Sequence, residues 1–102
     1  MSEALDNDAI QAALKELPGW DVESGKLVKR FEFDGFKEAL SFIVRIGLHA
    51  EGKGHHPEIF NVYNNVTLSL ATHDAGGAVT NKDVDLAKLI ENINWLPQKR
   101  GS

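Results

Sequence analysis

His55, His56 and His73 are the side chains of this 102-residue chain best suited to moving protons. Imidazole has an unperturbed pKa of about 6.5, so near neutrality it both donates and accepts a proton. Two or three such rings in one small volume are the minimum equipment for eliminating water without a metal. One protonates a leaving hydroxyl while another removes a proton elsewhere on the substrate. Like-charge repulsion keeps them from all being protonated together, which separates acid from base. The competing reading makes the same three histidines solvated residues of a turn and a sheet edge.

Whether they meet depends on a hairpin. Ile59 to Tyr63 and Val66 to Thr72 alternate as strands, and Asn64-Asn65 between them tolerates the positive φ of a tight turn. With that turn Tyr63 pairs with Val66, and the ladder carried outward sets His56 opposite His73. Directly opposed residues on antiparallel strands have Cβ atoms about 4.5 to 5.5 Å apart, so the two rings share one volume. His55 lies in the same turn, and Pro57 biases His56 toward an extended backbone. Adjacent histidines rarely both ligate one ion, and the chain has no cysteine, which argues against zinc. No metal or other cofactor is expected.

Two carboxylates stand near this constellation. Glu51 falls at the C-terminal end of the second helix, where the macrodipole disfavours a negative charge. It either orients a neighbouring imidazole or is solvated at a frayed end. Asp83, three residues after Thr80, reads on spacing alone as part of a capping box. His49, on the second helix, reads as a surface or interface residue.

The elements that must position these groups follow from the apolar periodicity. Ile10, Ala13, Leu14 and Leu17 recur at helical spacing from Asp8 to Leu17, with Asp6 or Asn7 as the cap and Pro18-Gly19 as the stop. Trp20 and Val22, a Ser24-Gly25 turn, then Leu27, Lys29, Phe31 and Phe33 form a hairpin. Asp34-Gly35 opens a second helix whose Phe36, Ala39, Leu40, Ile43, Gly47 and Ala50 make an apolar stripe. Phe42, Val44, Ile46 and Leu48 widen that stripe around the helix. So wide an apolar surface in a small chain implies a partner, most economically another copy of the chain. After the second hairpin a third helix starts near Thr80, carries Val84, Leu86, Ala87, Ile90 and Ile93 inward, and ends before Pro97. The order helix, two strands, helix, two strands, helix predicts an α+β fold, an antiparallel four-stranded sheet with three helices packed on one face.

Length predicts one domain over 1–102. Eleven basic against fifteen acidic residues give a net charge of −4, which argues against a nucleic-acid ligand. The acidic, polar start is unlike a signal peptide and no apolar run reaches membrane-spanning length, so a cytoplasmic protein without a membrane contact is expected.

Glu51, His55-His56-Pro57-Glu58, Asn61-Val62-Tyr63-Asn64, Thr72-His73-Asp74 and Thr80 to Asp83 together resemble the pterin-4a-carbinolamine dehydratase family from about Trp20 to Glu91. The resemblance implies a metal-free hydro-lyase that converts 4a-hydroxytetrahydropterin to quinonoid dihydropterin and water, in support of tetrahydrobiopterin recycling. By carry-over His55, His56 and His73 take the catalytic histidine positions, Glu51 the acidic position and Asp83 the late aspartate. Pro57, Thr72 and Asp74 fall beside the pterin with the three histidines. His55 and His73 read as the acid and base pair, with His56 binding and orienting substrate. The family also implies a homodimer or homotetramer, here through helix 36–50 and a sheet edge. Ile59 stands where many relatives have tryptophan, and Gly54 where an acidic residue is frequent, which bears on substrate preference more than on reaction type. The alternatives are a protein-interaction module, since animal relatives stabilise a transcription-factor dimer, and action on another pterin, as in molybdopterin metabolism.

Overall fold

A computed structural model describes residues 3–93. Its elements run α1 (Asn7–Leu14), β1 (Asp21–Glu23), β2 (Lys26–Glu32), α2 (Phe36–Lys53), β3 (Glu58–Val62), β4 (Asn65–Leu70) and α3 (Asn81–Ile93), with a single 3-10 turn at His73–Ala75. The four strands form one antiparallel sheet in the order β1-β2-β4-β3, and the helices cover one face, as the α+β pattern predicts.

Alternation decides which side chains meet the helices. Leu27, Phe31 and Phe33 from the β2 segment and Val66, Leu68 and Leu70 from β4 are all buried. Ala39, Phe42, Ile46 and Ala50 of α2 pack on them, and α3 adds Val84, Leu86, Ala87 and Ile90. Phe42 lies 4.8 Å from Phe31 and 5.0 Å from Phe33 between ring centroids, so an aromatic cluster pins α2 to the sheet. Lys29 shares the helix-covered face. Its ammonium reaches Glu91 Oε2 of α3 at 2.9 Å and the Pro18 carbonyl at 3.0 Å, while Trp20 Nε1 donates to the same Glu91 oxygen at 2.9 Å. A lysine at a core-facing position is tolerable because its charge is matched and its donors are used.

Local signals place most boundaries. Asp6 Oδ1 accepts Ala9 N–H at 2.8 Å and caps α1. The regular helix ends at Leu14, three residues before the expected Leu17, because the chain tightens into three-residue turns, Glu16 N to Ala13 O and Leu17 N to Leu14 O, which bury Leu17. Ser24 and Gly25 both take positive φ, the requirement of a tight hairpin turn. The expected end of α3 at Pro97 lies outside the described residues.

Two expectations are corrected. The stripe expected on α2 includes Phe36 and Leu40, which are exposed; the buried stripe is Ala39, Phe42, Ile46 and Ala50, and Phe36, Leu40, Val44 and Leu48 line a second, solvent-facing stripe. The second hairpin turns at Tyr63-Asn64, one residue earlier than the expected Asn64-Asn65. The reason is tertiary. Asn64 is buried, its Nδ2 donates to the Phe33 carbonyl at 2.8 Å and its carbonyl accepts Phe33 N–H at 2.9 Å, so it closes the end of β2. Positive φ falls on Tyr63 instead, while Asn61 Nδ2 donates to the Tyr63 and Asn65 carbonyls and holds the turn.

Candidate active site

The earlier turn changes the ladder that sequence reasoning used. Pairing runs from Val62↔Asn65 to Glu58↔Ser69, so its continuation sets His56 against Ala71 and not against His73. The two histidines nevertheless face one cavity. Shifting both partners by one residue moves the pairing by two positions, which preserves the face. Beyond Leu70 the chain folds back on itself: Thr72 bridges Ala78, with Thr72 N to Ala78 O at 2.9 Å and Gly77 N to Thr72 O at 3.0 Å. Gly76 and Gly77 supply the positive φ this reversal demands. The loop presents His73 at its first turn. His56 and His73 thereby line a cavity of about 240 Å³ on the open face of the sheet, with Ser69, Ala71 and Gly77 as its small residues and Lys26 and Glu58 as its charged ones.

His55 is placed by the end of α2. Gly54 terminates the helix in the left-handed region at φ 65°, its N–H returning to the Ala50 and Glu51 carbonyls. Glycine takes that conformation without strain, which gives the departure at this position a conformational basis. His55 then enters the protein, with 14% of its side chain exposed, and lines a separate cavity of about 130 Å³ with Lys82 and Asp85. The three imidazoles therefore occupy neighbouring positions on one turn and one loop, and not one common volume.

The His55 ring is held by Asp83. Nε2 of His55 lies 2.6 Å from Asp83 Oδ1, and Asp83 has no exposed surface. The other carboxylate oxygen, Oδ2, accepts the Thr72 hydroxyl at 2.8 Å and Thr80 N–H at 2.9 Å. Because Thr72 gives its proton to Asp83, Thr80 Oγ1 must be the donor in its 2.6 Å bond to Thr72 Oγ1, and it accepts Lys82 N–H at 3.2 Å. Every donor in this chain points toward one carboxylate. His55 consequently carries its proton on Nε2, and Nδ1 is left as the nitrogen able to exchange protons. The capping role read for Asp83 from spacing is real, and the same side chain also orients an imidazole 28 positions away in sequence.

Glu51 has an analogous but exposed partner. Its Oε1 lies 2.7 Å from His56 Nε2, with side chains 78% and 64% exposed, so Glu51 is hydrogen-bonded to an imidazole while remaining largely solvated. Thr72 is buried with its hydroxyl committed to Asp83. Asp74 is exposed on the His73 turn, Pro57 is half-buried, and neither lines the cavity. Ile59 pairs with Leu68 and so lies on the opposite face of β3 from His56. The sequence motifs do not mark Lys26, Glu58 or Thr80 as site residues. Strand alternation alone puts Glu58, two residues after His56, on the same face, whereas Lys26 joins them only through the order of the strands.

Fold and side chains together define a class: an α+β domain carrying two imidazole–carboxylate pairs and a third histidine beside an open cleft, a constellation suited to proton transfer. The match to known proteins is more specific. The sequence model of the family described as pterin 4 alpha carbinolamine dehydratase covers residues 3–93, and the chain belongs to that family. A candidate pterin-4-alpha-carbinolamine dehydratase of Opitutus terrae is 54% identical over 87 residues, 85% of this chain and 90% of the relative. A crystal structure from Brucella melitensis, described as a transcriptional coactivator/pterin dehydratase, superposes with a TM-score of 0.82 at 35% identity, covering 89% of this chain and 98% of the other. A pterin dehydratase-like protein described as a RuBisCO assembly factor of the alpha-carboxysome shares the fold, with a TM-score of 0.60 at 19% identity over 76% of this chain and 89% of the other. Among the described residues no helix is long and apolar enough to cross a membrane.

Proposed function

We propose that the chain dehydrates 4a-hydroxytetrahydropterin to quinonoid dihydropterin. The hydroxyl leaves C4a with a proton from one imidazole, another imidazole takes the N5 proton, and the C4a=N5 double bond forms with release of water. His55 and His73 are the acid and base pair in this reading, and His56, braced by Glu51, binds and orients the ring. The observation that carries it is the cavity shared by His56 and His73, with His55 held by Asp83 at 2.6 Å on the turn that leads into it. Pro57, Thr72 and Asp74 contribute by shaping the turn and loop around the substrate, Thr72 through Asp83. Support of tetrahydrobiopterin recycling in the cytoplasm is the corresponding cellular role. Stopped-flow loss of the carbinolamine chromophore tests the activity: the wild type accelerates it over buffer, and the double variant His55→Ala, His73→Ala does not. No acceleration by the folded wild type removes the proposal.

The chain also self-associates in this reading, as a dimer or tetramer. The observation favouring it is the solvent-facing stripe of α2, where Phe36, Leu40, Val44 and Leu48 are 48%, 45%, 55% and 71% exposed. In addition β3 is an edge strand with Ile59, Phe60 and Val62 exposed, an unpaired edge that a second copy would cover.

A further inference from the structure

The cavity that holds His56 and His73 contains a charged pair that the proposed proton transfers do not use. Glu58 Oε2 accepts from Lys26 Nζ at 2.7 Å. Register explains how residues 32 positions apart meet. Glu58 faces Ser69 on β4, and Ser69 faces Val28 on β2, while Lys26 lies two residues before Val28 on the same face. The ion pair therefore crosses β4 diagonally, from Lys26 in the row that continues to Ala71 and His56, to Glu58 in the row of Ser69, one step further into the sheet. Ser69, Ala71 and Gly77 project little, so the space between the ion pair and the imidazoles has a low floor suited to a flat ring.

The pair presents a definite pattern. An ionised carboxylate offers about four acceptor sites, of which Lys26 takes one, and a lysine ammonium has three donors, of which Glu58 takes one. Side by side they read acceptor, acceptor, donor. The pyrimidine edge of a pterin reads 2-amino donor, N3–H donor, C4 carbonyl acceptor, which is the complement. Resting on the reading that this cavity takes a pterin, we propose that Glu58 and Lys26 recognise that edge. Glu58 accepts the 2-amino and N3 protons as a bidentate pair and Lys26 donates to the C4 oxygen, making them the specificity-determining residues for a 2-amino-4-oxo ring. Charge-assisted bidentate bonds are strong and directional, and they fix the ring so that its reacting edge meets the histidines.

The test compares two unreactive ligands, a pterin and the corresponding 2,4-dioxo ring, by equilibrium fluorescence titration of the intact protein. The wild type binds the 2-amino ring about tenfold or more tightly than the 2-oxo ring, because a site built to accept an N–H disfavours an analogue that presents an oxygen there. Glu58→Gln, which replaces one acceptor oxygen by a donor, brings the ratio of the two dissociation constants near unity, and Lys26→Met weakens both ligands. With the Glu58 side chain 68% exposed, the thermal midpoint of Glu58→Gln stays close to wild type, so a lost preference is not lost folding. An unchanged ratio in Glu58→Gln overturns the assignment and leaves the dehydratase reading standing. A wild type that binds neither ring overturns both.

Discussion

His55 Nε2 and Asp83 Oδ1 lie 2.6 Å apart, and nothing of the Asp83 side chain reaches solvent. Helix α3 thus does two jobs with one carboxylate: it caps its own first turn through Thr80 N–H and fixes the tautomer of a histidine at the end of α2. Asp83→Asn reverses this, since an amide nitrogen facing the ring requires Nε2 to accept and moves the proton to Nδ1. Dehydration should fall by about 10²- to 10⁴-fold, the usual worth of a positioned acid or base. Stopped-flow kinetics measures the loss, and 15N shifts of the His55 ring report the tautomer directly.

Glu91 is the common acceptor for Trp20 Nε1 and Lys29 Nζ, the latter on a side chain only 13% exposed. Glu91→Ala strands an indole N–H and leaves a largely buried ammonium with the Pro18 carbonyl and the face of the Phe31 ring but no counter-charge. A loss of about 2 to 3 kcal/mol is expected in urea denaturation, the range for removing one partner from buried polar groups. The activity per folded molecule should be unchanged, because the network lies on the helix-covered face, away from the histidines.

Asn64→Ala removes the donor to the buried Phe33 carbonyl. That costs about 1 to 3 kcal/mol. It also releases the constraint that placed the turn at Tyr63-Asn64, and hydrogen exchange at the β3–β4 turn should accelerate relative to the rest of the sheet.

Val44→Glu with Leu48→Glu places charge on the solvent-facing stripe of α2. Both side chains are exposed within the single chain, so its folding should change by no more than about 0.5 kcal/mol per site. Sedimentation velocity should show the oligomer reduced to monomer. A wild type already monomeric at micromolar concentration would sink the proposed self-association.

Much of this was legible along the chain because it is local. Helix and strand periodicity, the Asp6 cap, the Ser24-Gly25 turn and the Thr80–Asp83 box each depend on residues a few positions apart, and backbone geometry fixes what such neighbours can do. The spacing of Glu51, the histidine pair and His73 likewise carries the family resemblance by itself. What the tertiary structure decided was partnership at a distance. Asn64 took its place in the turn from a carbonyl at Phe33, Asp83 was directed to His55, and Lys26 met Glu58 only because β2 and β3 flank β4. A hydrogen-bonding group accepts many partners of the right type, and the fold selects among them by deciding which backbone segments lie side by side.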